Sequence, residues 1–430
     1  MSRPNISCSR SEGNKRLKRL FALALLASVP FSARAANEKF TFEFNSKTLT
    51  SYQHAPSAKR GDGFFEAGSE LKAGADFVTS DKPFFFSVVL PEGNYRVKVT
   101  LGATHGTSVT TVKAELRRLF VAHLETSQGK LQTRTFIVNV RRPEIGDTDQ
   151  VVKFKERERT SEARAWDDKL TLEFSDCKPT VSAVSIERAD VPTIFIAGDS
   201  TSTDQAKEPY NSWGQMITAF FKPDVAIANN GESGETARSF FAENRWAKVM
   251  SVIRQGDYVL IQFGHNDQKE KGEGVGAFTT YKAELERMVN EAREHGATPI
   301  LITPMNRRTF DKQGKVTNSL GDFPAAVRKL AEEQRVPLID LNAMSKTIYE
   351  ALGPEGSGKL FAGDDHTHHS DYGSYELAKC VVYGIRNGDL PIAKFLKSDL
   401  PPFDPARPDP FGKFDIPPDP DSTSIKPYGS

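Results

Sequence analysis

Between Phe40 and about Ala189, apolar residues recur at every second position in short segments. Phe40, Phe42 and Phe44 alternate with polar neighbours, as do Tyr95, Val97, Val99 and Leu101. The same spacing returns at Phe136, Val138 and Val140, at Leu170, Leu172 and Phe174, and at Val184 and Ile186. A period of two is that of a half-buried strand. Turn chemistry such as Pro91-Glu92-Gly93-Asn94 separates the segments. About seven such strands with no convincing long amphipathic helix predict an antiparallel β-sandwich of about 150 residues. Lys155 to Arg159 alternates in charge and reads as a solvated strand or loop.

After Val191-Pro192 the pattern changes to continuous apolar runs: Ile194 to Ala197, Val225 to Ala228, Tyr258 to Phe263, Pro299 to Thr303 and Pro337 to Leu341. Short runs of this kind suit strands buried on both faces, as parallel strands are. Helical spacing lies between them, clearest where Phe278, Tyr281, Leu285, Met288, Val289 and Ala292 share one face. Successive β-α units predict a three-layer, doubly wound α/β domain with a five-stranded parallel sheet, whose functional groups project from the carboxyl ends of the strands. The last thirty residues hold nine prolines, from Pro401 to Pro427, and are expected to wrap the surface or stay disordered. No internal repeat is visible.

The beginning of the chain fits neither pattern. Arg10, Lys15, Arg16, Lys18 and Arg19 precede an apolar run from Leu20 to Phe31, and Ala33-Arg34-Ala35 follows. That is the layout of a secretory signal peptide. The run is too short to span a bilayer, which takes about 20 residues. The expected organisation is a signal peptide over 1–35, a β-sandwich over 36–190, a catalytic α/β domain over 191–398 and a Pro-rich tail over 399–430. The destination after export, whether periplasmic, cell-surface or extracellular, stays open.

The whole chain of 430 residues has 57 Lys+Arg against 56 Asp+Glu. Residues 1–35 hold seven of the basic and one of the acidic residues, so the remainder carries 50 against 55, a formal charge of −5. No broad basic surface remains for sequence-independent nucleic-acid binding. Of three cysteines only Cys177 and Cys380 lie beyond the leader, and both are expected to be free and buried.

Candidate chemistry sits at successive strand ends. Gly198-Asp199-Ser200-Thr201 places a serine at the turn after the first parallel strand, where a nucleophile or a helix N-cap would both fit. Asn229 to Thr236 is a glycine-bearing loop that could bring a backbone N–H to a bound oxyanion or form an ordinary turn. Neither a dinucleotide fingerprint nor a Walker pattern occurs. Gly264-His265-Asn266-Asp267 offers a side-chain amide, with an Asx-turn as its alternative. Asp364-Asp365-His366-Thr367-His368-His369 holds an Asp and a His three residues apart, able to share a hydrogen bond. The cluster also invites a metal reading, but no His-Glu-x-x-His and no Cys pair support it.

In this order the blocks resemble the SGNH, or GDSL-type, hydrolases, with Ser200, Gly234, Asn266 and His368 as the four blocks. Within them the likeness is to rhamnogalacturonan acetylesterases. It is carried by Ile196 to Thr201, Asn211-Ser212-Trp213-Gly214-Gln215, Gln262 to Asp267, Thr303-Pro304 with Arg307-Arg308, and Asp365-His366-Thr367-His368, together spanning residues 193 to about 395. The resemblance implies Ser200 as nucleophile, His368 as base and Asp365 as its orienting carboxylate. It also implies an oxyanion hole from the N–H groups of Ser200 and Gly234 and the Asn266 amide. His366 and His369 would then shape the pocket or be exposed. The implied reaction is deacetylation of an acetylated plant cell-wall polysaccharide through an acetyl-enzyme, with no metal or organic cofactor. Arg307 and Arg308 are candidates to bind galacturonate carboxylates and Trp213 to be a sugar platform; a surface charge and a buried core position are their respective alternatives.

The N-terminal half resembles the galactose-binding-like, jelly-roll modules that precede such esterase domains, through Phe86 to Tyr95 and Arg134-Thr135-Phe136. Its role would be glycan binding or fixed packing against the catalytic half, and the short linker favours packing. Two other functions compete: an acetylxylan esterase, esterase or lipase of the same fold, and a non-catalytic glycan-binding protein. Oligomeric state is not legible.

Overall fold

The computed structural model describes residues 38–52, 59–66, 70–419 and 421–428. The signal-peptide segment lies outside the described residues. Glu38 to Ser430 forms one compact unit.

Among the described residues eleven strands build the N-terminal half: β1 (Lys39–Glu43), β2 (Gly63–Phe65), β3 (Lys72–Ala73), β4 (Val78–Thr79), β5 (Phe84–Val89), β6 (Gly93–Leu101), β7 (Ser108–Ala114), β8 (Arg118–Thr126), β9 (Gln132–Val140), β10 (Lys169–Ser175) and β11 (Thr180–Arg188). They form two antiparallel sheets. One is ordered β3-β4-β11-β6-β9 with β1 also on β11, and the other β2-β5-β10-β7-β8. The alternating residues point inward, so Phe42, Phe44, Val97, Val99, Phe136 and Val138 from one sheet meet Phe65, Phe86, Leu170, Leu172 and Phe174 from the other. Each fully buried apolar side chain of this kind contributes about 1.5–3 kcal/mol.

Alternation revealed fewer strands than the structure contains. β2, β3 and β4 are two or three residues long, too short to show a period. β7 is buried on almost every residue, and so are the first four residues of β8. The start of β8 and the turn before it are covered by the α/β half, where the Gln215 amide donates to Leu116 O at 2.9 Å and the Thr218 hydroxyl to Leu119 O.

The second half contains β12 (Thr193–Gly198), β13 (Ala226–Asn229), β14 (Tyr258–Gln262), β15 (Thr298–Ile302) and β16 (Leu338–Ile339), all parallel and ordered β13-β12-β14-β15-β16. Helices α1 (Trp213–Met216), α2 (Ala237–Ala242), α3 (Arg245–Val252), α4 (Lys282–Glu294), α5 (Phe323–Gln334), α6 (Leu341–Gly356) and α7 (Asp371–Asn387) complete it. Two separate apolar clusters pack against the sheet, one containing α1, α6 and α7 residues and the other α2 to α5 residues, which gives three layers. Leu285, Met288, Val289 and Ala292 form the buried face of α4 as expected. Phe278 does not join them and is 46% exposed. Ala277 to Tyr281 is a π turn, whose wider winding rotates Phe278 off the buried stripe.

The halves are locked together by buried polar contacts. Arg118 is fully buried, donates to Ile227 O and Asn139 O at 3.1 Å each, and lies 3.5 Å from Asp204 Oδ2. Arg141 donates to Asn229 O, and the Asn94 amide to the Thr193 hydroxyl at 2.9 Å. Packing of the halves is therefore fixed. Cys177 and Cys380 are free, but only Cys380 is buried. Cys177 is exposed because it sits in the β10–β11 turn, between Asp176 and Lys178, both at positive φ.

The Pro-rich tail is ordered over its described residues and wraps the α/β half. Tyr372 donates to Asp409 O at 2.6 Å, Phe411 and Phe414 pack on its ring, and Ser422 bridges to Glu208. Among the described residues no helix is long and apolar enough to cross a membrane.

Candidate active site

The sheet order puts the topological switch at β12, whose neighbours on either side are β13 and β14. Ser200, the Asn230 to Glu235 loop and Asn266 follow the carboxyl ends of these three strands, so residues far apart in sequence meet in one crevice. The turn after β12 is tight. A Cβ at Gly198 would lie 2.2 Å from Ser202 Oγ and 2.6 Å from Gln262 O, so only glycine fits.

His368 stands on the loop between α6 and α7. Its Nδ1–H donates to Asp365 Oδ2 at 3.0 Å, leaving Nε2 to accept from the Ser200 hydroxyl at 2.9 Å. Asp365 is fixed in turn by the backbone N–H groups of Thr367 (2.7 Å) and His368 (3.0 Å) on Oδ1. Burial alone would raise the Asp365 pKa, but the hydrogen bond and charge of His368 and these N–H donors outweigh it and hold the carboxyl well below the usual range. It stays ionised and stabilises positive charge on His368.

Beside Ser200 lies the β13–α2 loop. Gly234 has φ +83°, a conformation suited to glycine. Among the described residues, neither the Ser200 nor the Gly234 N–H has a protein acceptor. Gln205 ties the two loops together, its amide donating to Ser200 O at 2.9 Å and to Ser233 Oγ at 3.2 Å. Asn266 is buried and donates to Glu235 O at 2.9 Å with one N–H of its amide. The arrangement provides a serine hydroxyl hydrogen-bonded to an imidazole, beside loops that carry the Ser200 and Gly234 N–H groups and the Asn266 amide.

The neighbouring histidines diverge. His366 is exposed, its Nδ1 2.8 Å from Arg308 O, while His369 is buried with Nε2 2.8 Å from the Tyr349 hydroxyl. Burial, assisted by His368 and His265, lowers the His369 pKa to about 3, so it is neutral. Among the described residues no three His, Cys, Asp or Glu side chains form a metal-sized cluster.

Three expected substrate contacts take other roles. Trp213 is fully buried and its indole N–H donates to Gln262 Oε1 at 2.6 Å, so it holds α1 on the sheet and cannot present a ring to sugar. Arg307 donates to His265 O and Thr367 Oγ1, both at 3.2 Å, bracing the β14 loop against the histidine loop. Arg308 donates to Pro354 O at 2.9 Å, at the end of α6. Each guanidinium donates at least one hydrogen bond within the protein.

Several contributors were not singled out by sequence. Asp199 is fully buried and 3.5 Å from His265 Nδ1, while its Oδ1 accepts from the Thr201 N–H and hydroxyl. Asp267 Oδ1 accepts from Ala237 N at 2.8 Å, capping α2 from a distant loop; burial pushes its pKa up to about 8. Both adjoin quoted motif residues, so adjacency was the available signal. Tyr210 meets the His368 ring edge-on at 6.1 Å.

The segment Lys155 to Arg159 is only partly solvated: Glu156 and Arg159 are exposed, but Glu158 is buried. Glu156 to Arg159 forms a 3-10 turn in which Glu158 is buried and paired bidentately with Arg245 at 3.0 and 2.5 Å. Lys155 and Arg157 reach the Gly234 loop, where both donate to Ser233 O. Charge alternation concealed a buried ion pair, because the partner lies in the other half of the chain.

The tail passes over the crevice. The Tyr428 ring stacks 4.7 Å from the Arg157 guanidinium, Tyr428 Cβ lies 3.0 Å from where a Gly234 side chain would begin, and Lys426 Nζ is 3.9 Å from Asp365 Oδ2. Beneath it Ser200 is only 1% exposed.

Residues 196–374 match the GDSL-like lipase/acylhydrolase family. Rhamnogalacturonan acetylesterase RhgT of Bacillus subtilis (strain 168) is 40% identical over 220 residues, covering 48% of this chain and 94% of RhgT. The probable rhamnogalacturonan acetylesterase YesY of the same organism is 33% identical over 213 residues, 47% of this chain and 95% of YesY. The crystal structure of protein YxiM from Bacillus subtilis aligns with 82% of this chain and 99% of its own at 25% identity, with a TM-score of 0.48. The chain belongs to the GDSL-like lipase/acylhydrolase family, the SGNH hydrolases. It is a carboxylic ester hydrolase.

Proposed function

We propose that the protein is an exported serine esterase that removes O-acetyl groups from pectic rhamnogalacturonan. The observation that carries this reading is the Ser200–His368–Asp365 relay, at 2.9 and 3.0 Å, in a chain 40% identical to RhgT over nearly the whole of that enzyme. Relatives named as rhamnogalacturonan acetylesterases support a carbohydrate acetyl ester as the substrate class. The Leu20 to Phe31 leader pattern supports export.

Ser200 Oγ attacks the acetyl carbonyl carbon as its proton passes to His368 Nε2. Asp365 stabilises the imidazolium so formed and fixes its tautomer. The negative charge on the carbonyl oxygen is met by the N–H groups of Ser200 and Gly234 and by the free amide N–H of Asn266. Collapse of the tetrahedral intermediate breaks the bond to the sugar oxygen, which takes the His368 proton and leaves as a hydroxyl. Water, deprotonated by His368, then attacks the acetyl-Ser200 ester; the bond to Ser200 Oγ breaks, Oγ takes the proton back from His368, and acetate is released.

The test is acetate release from acetylated rhamnogalacturonan and acetylated xylan in parallel, with Ser200→Ala as control. Greater Ser200-dependent release from the pectic polymer is expected. Greater release from xylan would move the substrate assignment, and release unchanged in Ser200→Ala would refute the site. No release from either polymer or from an aryl acetate would refute the esterase reading.

A further inference from the structure

The peptide group joining Ser233 to Gly234 carries a candidate oxyanion donor on its nitrogen. Its carbonyl oxygen, on the opposite edge of the same plane, is the joint acceptor of two cations from the N-terminal half: Lys155 Nζ at 2.8 Å and Arg157 Nη2 at 2.5 Å. Gly234, at φ +83° and without a side chain, does little itself to prevent this peptide from rotating. A flipped peptide would present a carbonyl where the oxyanion must sit.

We propose that Lys155 and Arg157 are positioning residues for catalysis, clamping the Ser233–Gly234 peptide so that its N–H faces the oxyanion. Donation to the carbonyl also draws electron density from the amide nitrogen and makes its N–H a stronger donor, since linked hydrogen bonds polarise one another. The clamp is itself rigid. Glu158, which follows Arg157 in sequence, is anchored by Arg245, by the Trp166 indole at 3.0 Å and by the Lys155 N–H at 2.9 Å. The cations are charge-balanced, Lys155 by Glu235 and Glu243 and Arg157 by Glu232 and Glu162. Their effect on the reaction is therefore local geometry and hydrogen bonding rather than a long-range positive field. It follows that the N-terminal half completes the active site of the C-terminal one.

The clamp rests on the assignment of Ser200 and Gly234 above, so Ser200→Ala is measured beside it. Lys155→Met, Arg157→Met and the double variant are assayed on an aryl acetate for kcat and KM, for affinity towards a boronic acid that forms a tetrahedral adduct with serine, and for Tm. Each single variant is expected to lose about tenfold in kcat, less than the roughly 10²–10³-fold that follows loss of a donor itself. KM should stay within about twofold and boronate affinity should fall in step with kcat/KM. Wild-type kcat and boronate affinity in folded Met variants would overturn the clamp. So would losses in kcat that leave boronate affinity intact. Should the Met variants not fold, Lys155→Arg and Arg157→Lys carry the test, since each keeps the charge and displaces the donor. Reduced kcat at constant KM is expected, and wild-type kcat would overturn the clamp. Activity that survives Ser200→Ala would instead overturn the reading on which the clamp depends.

Discussion

The two halves of the molecule bury their cores by opposite rules and contribute to the site in opposite ways. In the parallel half the strands are buried almost throughout, and Ser200, the Gly234 loop and Asn266 follow the ends of β12, β13 and β14. In the antiparallel half β1, β6 and β10 alternate apolar with polar residues, and the groups that matter to the site, Arg118, Arg141, Lys155 and Arg157, lie on or between strands as ordinary charged residues. The contrast separates two kinds of information. A candidate catalytic group is marked by the contiguous motif around it, whereas a buttressing group acquires meaning only from what it faces across an interface.

The largest effect expected from breaking this comparison is on the parallel side. Removing the nucleophile or base, by Ser200→Ala or His368→Ala, should reduce kcat by roughly 10⁴-fold or more with little change in Tm, as for triads that act as a unit. Asn266→Ala should cost about 10²–10³-fold in kcat with KM nearly unchanged, as loss of one oxyanion donor does. Steady-state kinetics on an aryl acetate measure both.

On the antiparallel side the leading effect should be on stability. Arg118→Met leaves Asp204 buried beside one cation fewer and two interface carbonyls without their donor. Loss of one partner from such a buried set costs about 3–5 kcal/mol, to be read by denaturant titration. A loss under about 1 kcal/mol would mean that the interface is wetter than its burial indicates.

The legibility of the chain follows the same division. The hydrogen-bonded grouping of Ser200, Asp365 and His368 was legible because the motif around each is contiguous. The five parallel strands could be found because burial on both faces leaves unbroken apolar runs. β7 and β8 were hidden because a second covered face erases alternation, and Phe278 was misplaced because a π turn shifts helical phase. Glu158 read as solvated since its partner Arg245 is 87 residues away. Trp213 read as a possible platform because sequence does not reveal which way an indole faces.

A smaller effect concerns pH. The folded Asp267 carboxyl has its pKa raised to about 8, above its unfolded value, because of burial. Its contribution to stability is therefore fully present below the unfolded value near 3.8 and declines as pH rises towards 8. Asp267→Asn keeps an acceptor for the Ala237 N–H and should flatten that decline, with melting curves between pH 4 and pH 8 as the measurement. The smallest effect is at the tail. A cation–π contact such as Tyr428 on Arg157 is worth about 0.5–1 kcal/mol. If substrate must displace it, Tyr428→Ala should lower KM for the polymer by about two- to fivefold without raising kcat.

Acid-quenched turnover of an aryl acetate, followed by peptide mapping in a mass spectrometer, addresses the chemistry most directly. One acetyl group on the peptide containing Ser200 is expected, present in the wild type and absent from Ser200→Ala. An active enzyme whose acetyl group is carried by a different residue would contradict the assignment of Ser200 as the nucleophile.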